Sequence, residues 1–237
     1  MTNEEQHKAL MDEWHEKYKD SYFDCTFTDD GSANWKLYDN SFPKILFLGK
    51  ESPYHDYHPA TPLLPLNNNF AKNIARWSLL IEKAFAQTEL PEMPVDAKLR
   101  NNNDSVAIIE VKKICEEKVT SLDREINAFA RSDREFLKRQ IEILKPHVVL
   151  CCATIDSYDI INNWTYKSDE KIASIKDAGE AIWLTDDRLV IGFKHPSHRF
   201  GQEDVYHTLK SLLSQEPVKR AIQKMKDNSS GRIILIN

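Results

Sequence analysis

"ILFLGKESPYHD", residues 45–56, runs from a greasy segment through one glycine into a dense polar loop. Ile45 to Leu48 are apolar at every position, so both faces of this strand want cover. That is the signature of a strand inside a parallel sheet with helices on both sides. Two runs share the character, "VAIIEV" (106–111) and "HVVLCCA" (147–153). "EAIWLTDDRLVIGFKHPSH" (180–198) gives one or two more strands, broken by a turn at Asp186-Asp187. Helical patterns lie between them. "FAKNIARWSLLIEKAFAQ" (70–87) sets Ile74, Trp77, Leu80, Ile81 and Phe85 on one face, with Asn69 as a cap. Helices are expected over 121–129 and 132–144, the second opened by the Ser132–Glu135 capping pattern and closed by Pro146. "TIDSYDIINNW" (154–164) begins a further helix or turn. An amphipathic helix over 3–20 precedes all of this. Helical sequence from Glu203 to Asp227, with a break at Pro217, follows it, and "GRIILIN" reads as a last strand. Strand and helix alternate, so the expected fold is a single three-layer α/β/α domain around a central, mainly parallel, four-stranded sheet.

The bulk properties narrow the function. The 237 residues carry 41 % hydrophobic and 29 % charged residues, an ordinary folded composition. A net charge of -5 argues against a strongly basic nucleic-acid coat and leaves room for a local basic cleft. No apolar run reaches the length of a membrane helix, and the charged start is unlike a targeting segment, so a cytoplasmic monomer is expected. The four cysteines form no CxxC pair, and Cys151 and Cys152 alternate within a buried run. They read as structural thiols rather than metal ligands. P-loop, GxGxxG, GxSxG and HExxH patterns are missing.

Ligands of such sheets bind beyond the carboxyl ends of the strands, and two loops there carry chemistry. Past Leu48, Gly49 permits close backbone approach, Glu51 is an acid that positions water or stabilises a cation, and Ser52, Tyr54 and His55 supply hydrogen bonds. Pro53 stiffens the turn. Past Phe193, Lys194, His195, Ser197, His198 and Arg199 crowd one short loop before Phe200. His195 suits donation to an oxygen that gains negative charge, and Ser197 suits a phosphate. Glu110, at the exit of the 106–111 strand, is either a site residue or a surface partner of Lys112 or Lys113. Phe70 either stacks on a base or opens the core of its helix. Arg131, Arg134, Lys138 and Arg139 alternate with acids and read as a solvated helix face.

Taken in order, "LGKESPYH", "VAIIEVKK", "REFLKRQIEILKPHVVLCCA" and "KHPSH" resemble the uracil-DNA glycosylase superfamily. The resemblance covers about residues 40 to 215. It implies that fold and a DNA partner, excision of a damaged or deaminated base, and no metal or organic cofactor. It implies catalytic roles for Glu51 and His195. Substrate contacts fall to Gly49, Ser52, Pro53, Tyr54, His55, Phe70, Glu110 and Ser197, and DNA contacts to Lys194, His198, Arg199 and Phe200. Two departures stand out. The first loop is one residue longer between Gly49 and Pro53. Glu110 replaces the asparagine with which the family reads uracil. An ionised carboxylate accepts but cannot donate, so Glu110 suits a different base or marks lost uracil activity. The alternative function is a glycosylase-fold protein that binds nucleic acid or a nucleoside-like ligand without excision.

Overall fold

The computed structural model describes residues 1–19, 26–52, 69–94, 102–115, 121–164, 171–175, 179–185, 188–198 and 201–233. Pro53, Tyr54, His55, Arg199, Phe200 and the Asp186-Asp187 turn lie outside these. The described helices are α1 (Asn3–Lys19), α2 (Trp35–Asn40), α3 (Asn69–Ala86), α4 (Asp123–Ser132), α5 (Arg134–Leu144), α6 (Ile155–Asn162), α7 (Gln202–Leu213) and α8 (Glu216–Ile233). The strands are β1 (Thr26–Phe27), β2 (Gly31–Ser32), β3 (Ile45–Glu51), β4 (Val106–Lys112), β5 (Ile114–Cys115), β6 (Val148–Cys152), β7 (Lys171–Ser174), β8 (Ala181–Leu184) and β9 (Leu189–Phe193).

One mixed sheet of seven strands runs β2-β4-β3-β6-β9-β8-β7. Its middle four, β4-β3-β6-β9, are parallel. These are the greasy runs of the sequence. The expected sheet of four is therefore too small: β2 adds antiparallel beside β4, and β8 and β7 add antiparallel beyond β9. These additions are short, and "GS" and "KIAS" have none of the continuous apolar character that marks a doubly covered strand. They lie at or near the edges, where less of the strand is buried.

The pleat divides the core. Ile45, Phe47, Val106, Ile108, Val148, Leu150, Cys152, Leu189, Ile191 and Phe193 face α3, α7 and α8. Leu46, Leu48, Ala107, Ile109, Val111, Val149, Cys151 and Val190 face α1, α4, α5 and α6. Each fully buried aliphatic or Phe side chain contributes about 1.5–3 kcal/mol over its exposed state. Cys151 and Cys152 are buried free thiols on opposite faces, as the alternation predicted.

Three helix ends differ from expectation. Ser132 closes α4 instead of capping α5. The residue before α5 is Asp133, whose carboxylate binds Tyr18 Oη and, at 2.6 Å, Lys17 Nζ, and gives α5 no side-chain cap. A tertiary claim on the carboxylate has displaced a local one. The chain breaks after α7 at Ser214, and Pro217 sits in the first turn of α8, where a missing N–H costs nothing. The predicted terminal strand is absent through residue 233, because α8 continues to Ile233. Its buried Val218, Ala221, Ile222 and Met225 keep helical spacing against the α3 side of the core. None of the described helices is long and apolar enough to cross a membrane.

Candidate functional site

The chain leaves β3 for β4 on one side and returns past β3 to β6 on the other. Strand order thus reverses between β3 and β6, and the crevice beyond their carboxyl ends is the natural ligand position. That end of the sheet presents Gly49 and Glu51 of β3, Glu110 and Lys112 of β4, Cys152 of β6 and Phe193 of β9, followed by His195. The end of β3 and the His195 loop therefore lie together. Lys50 lies near enough to depress the basicity of His195, and the Phe70 ring stands 6.1 Å from the imidazole. Phe70 packs against the core, as expected of the first core residue of its helix.

His195 is held with care. Asn73 of α3 donates from Nδ2 to the carbonyl of Pro196 at 2.7 Å, pinning the loop to a buried helix face. Arg76 binds Asn73 and, at 2.9 Å, Gln202 of α7. The backbone N–H of Ser197 donates to His195 Nδ1 at 3.2 Å. Nδ1 is thereby an acceptor, which puts the proton of the neutral ring on Nε2. Burial, helped by the charge of Lys50, pushes the imidazolium down to about 4, so the ring is neutral at pH 7.

Glu51 is tied differently. Oε1 accepts from the Ser121 N–H, while Oε2 accepts from Ser121 Oγ at 2.7 Å and Lys112 Nζ at 3.1 Å. A carboxylate has about four lone-pair sites, so about one remains. Burial pushes the carboxyl up, but the Ser121 hydrogen bonds and Lys112 outweigh it and hold Glu51 below its ordinary value. Glu51 is ionised at neutral pH.

Glu110 is 3 % exposed, and its Oε2 is buried with no hydrogen-bond partner among the described residues. Neither neighbouring lysine is hydrogen-bonded to its carboxylate. Lys112 serves Glu51 and Ser121, and Lys113 binds Asp30 and the main-chain carbonyl of Glu110. The surface pair considered for Glu110 is therefore wrong, because Lys112 and Lys113 are themselves buried and committed. Gly49 is opposite Glu110 in register, and a Cβ there would collide with the Glu110 carboxyl. That close approach is what requires glycine. Burial first, then the charges of Asp30 and Glu51, push Glu110 up to about 8 against the opposing pull of Lys113. Burial therefore favours the neutral form of Glu110 at pH 7, with no cation hydrogen-bonded to its carboxyl among the described residues.

Other candidates are less central. Ser52 is buried, while Ser197 and His198 are exposed on the loop. Lys194 pairs with buried Glu180 at 3.0 Å, which offsets its charge. Arg139 clasps Glu13 through two bonds, as a solvated helix face should. Lys112, Ser121, Asp30 and Asn73 escaped the sequence reading. The lysines of "EVKK" were the available signal, since two cations at the exit of a buried strand need buried acids. No group of His, Cys, Asp and Glu among the described residues is arranged to hold a metal ion. No family model and no curated protein matches this chain.

Proposed function

We propose that the protein is a DNA glycosylase of the uracil-DNA glycosylase kind, hydrolysing the N-glycosidic bond of a damaged or deaminated base in DNA. The state of His195 carries the reading. A neutral imidazole with its proton on Nε2, fixed from behind through Nδ1, is suited to hydrogen-bond an oxygen on which negative charge develops. The parallel strand order and the loops at its carboxyl ends support the same assignment.

In the mechanism, DNA delivers a flipped base to the crevice. The C1′–N bond breaks with its electron pair going to the base, whose oxygen receives the His195 Nε2–H hydrogen bond. Water adds to C1′, and the proton it loses ends on the departed base anion, so the products are the free base and the abasic sugar. Glu51 serves as a fixed negative charge beside the cationic sugar, with about one lone-pair site left to orient that water. Phe70 borders the base, and Ser197 is exposed to meet a phosphate. None of these steps calls on a metal or an organic cofactor.

One observation favours a second reading, binding without excision: Lys112 neutralises much of the Glu51 charge. A single-turnover base-release assay decides between them. Single- and double-stranded DNA with uracil, hypoxanthine, xanthine or an alkylated base is offered to wild type, His195→Ala and Glu51→Gln. Release that needs both residues establishes the glycosylase. Silence on every base, beside DNA binding that weakens with salt, establishes the binder.

A further inference from the structure

The work assigned to His195 depends on where its ring stands, and two side chains hold the residues on either side of it. Asn73 of α3 donates to the carbonyl of Pro196, the residue after it, at 2.7 Å. Lys194, the residue before it, brings Nζ to 3.0 Å from Glu180 Oε1. Glu180 immediately precedes β8. Ala181, the next residue, is opposite Gly192 in the antiparallel pair of β8 and β9, so Glu180 comes alongside the exit of β9, where the His195 loop begins.

An acid is unexpected at this position. The Glu180 side chain is 5 % exposed, and Oε2 is buried without a hydrogen-bond partner among the described residues. Buried polar groups as a rule have partners, and apolar side chains of similar volume often stabilise a protein as well as a buried ion pair does. Lys194 is 40 % exposed, so water screens its end of the pair. Stability is therefore a poor reason for Glu180. Its place supplies a better one, since the cation it pairs with is the chain neighbour of His195.

We propose that Glu180 is a positioning residue for His195: its buried carboxylate grips Lys194 and fixes the His195 loop from the β8 side, as Asn73 fixes it from α3. The proposal rests on the reading of His195 as the donor to the departing base, and adds the residue that holds this donor in place. The link is short. A grip on Lys194 and another on Pro196 leave little freedom to the backbone between them. That backbone sets the approach of the Ser197 N–H to His195 Nδ1, 3.2 Å in the donor–acceptor distance. The same contact selects the tautomer with its proton on Nε2. Releasing Lys194 therefore loosens both the ring's place and its tautomer.

Two measurements on the full chain test this with Glu180→Leu, Glu180→Gln, Lys194→Ala and the double variant Glu180→Leu/Lys194→Ala. Leucine fills the position without an acceptor, whereas glutamine keeps an acceptor for the Lys194 ammonium. Nitrogen-15 spectra of the imidazoles at pH 7, with His195 assigned by its loss in His195→Ala, read the tautomer. The wild type and Glu180→Gln should show the Nε2–H form, and Glu180→Leu and Lys194→Ala a mixture of both forms. Single-turnover release of whichever base the wild type excises reads the consequence. Glu180→Leu should slow it about 10–100-fold, the scale of a small misplacement of a reacting group, and Glu180→Gln should recover most of the rate. DNA affinity of Glu180→Leu should be at least that of the wild type, because no acid now offsets Lys194. A merely structural lesion would lower rate and affinity together. The double variant should be no slower than the slower single one, because Glu180 acts through Lys194. A wild-type tautomer and rate in Glu180→Leu, parallel losses of rate and DNA affinity, or single effects that add in the double variant would each overturn the proposal. If Glu180→Leu does not fold, Lys194→Ala cuts the same grip from its half-exposed end, and its tautomer decides. Failure of the glycosylase reading is distinct: no base released by the wild type, with the tautomers responding as expected, removes excision and leaves Glu180 as the residue that positions His195.

Discussion

The last residue of β3 and the loop after β9 each bring a reactive side chain to the same end of one sheet, and the protein treats the two in opposite ways. The Glu51 carboxylate is saturated almost completely by Ser121 and Lys112. The His195 imidazole is fixed through one nitrogen, and its other nitrogen has no hydrogen-bond partner among the described residues. The acid has been made into a structural charge with about one lone pair in reserve. The histidine has been made into an oriented tool. Density of chemical residues in a loop is therefore a poor guide to which of them acts. What decides is how many of the group's hydrogen-bonding sites the protein itself uses.

The sharpest way to break this contrast is to release Glu51. Lys112→Met removes the buried ammonium but keeps most of the volume. Removing one member of a buried pair costs about 3–5 kcal/mol, because the remaining charge is left without compensation. Urea unfolding at pH 7 should show a loss of that order. A loss under about 1 kcal/mol, the range of exposed pairs, would mean that Glu51 is free and the contrast false. His195→Ala attacks the other loop. Base release should fall about 10²–10³-fold, as for other lost oxyanion donors, with the urea midpoint nearly unchanged. A large stability loss with intact release would make His195 the structural member of the two.

A gentler change tests the anchoring. Asn73→Ala removes the donor to the Pro196 carbonyl. An orphaned buried acceptor costs about 1–3 kcal/mol, and the effect should appear in release as well as in unfolding, because the His195 loop loses its tether to α3. Release that is unchanged while stability drops would show that the loop keeps its shape without α3.

The parts of this arrangement that were legible in the sequence are those written in continuous apolar runs. β3, β4, β6 and β9 each announce themselves by having no polar face, and α3 by the spacing of Ile74, Trp77, Leu80, Ile81 and Phe85. The added strands β2 and β7 did not, since short antiparallel additions are decided by backbone pairing with a neighbour, whereas β8 falls within the one or two strands read in "EAIWLTDDRLVIGF". The candidate site was legible as a place: Glu51, Glu110 and His195 do lie at one end of the sheet. Its electrostatics were not. Which of Glu51 and Glu110 receives Lys112 depends on register, Glu51 opposite Lys112 and Gly49 opposite Glu110, and register is set by the whole sheet. Asp30, remote in sequence and at the edge strand, then takes Lys113. Only after all these pairings are made is one acid left without a hydrogen-bonded cation among the described residues.

The pH dependence of stability carries the contrast to the level of the whole protein, and it is the smallest effect. His195 and His7 are both lowered to about 4 by burial. Between pH 4 and 6.5 the unfolded chain binds their protons and the folded chain does not, so stability rises with pH there. Glu110 works the other way. Raised to about 8, it keeps a proton in the folded protein that the unfolded chain has lost above about 4.5, so its contribution falls as pH rises to 8. Up to 6.5 the two histidines oppose the one acid. Above 6.5 the histidines are neutral in both states and Glu110 acts alone. Stability should therefore peak near pH 6.5 and decline by about 2 kcal/mol at most toward pH 8. Glu110→Gln should abolish that decline and leave a plateau, while His195→Ala should weaken only the acid limb. If wild type is already flat from 6.5 to 8, Glu110 has found a cation or water and is ionised. The β3 side of the site would then carry two fixed carboxylates, and only the β9 loop would differ in kind.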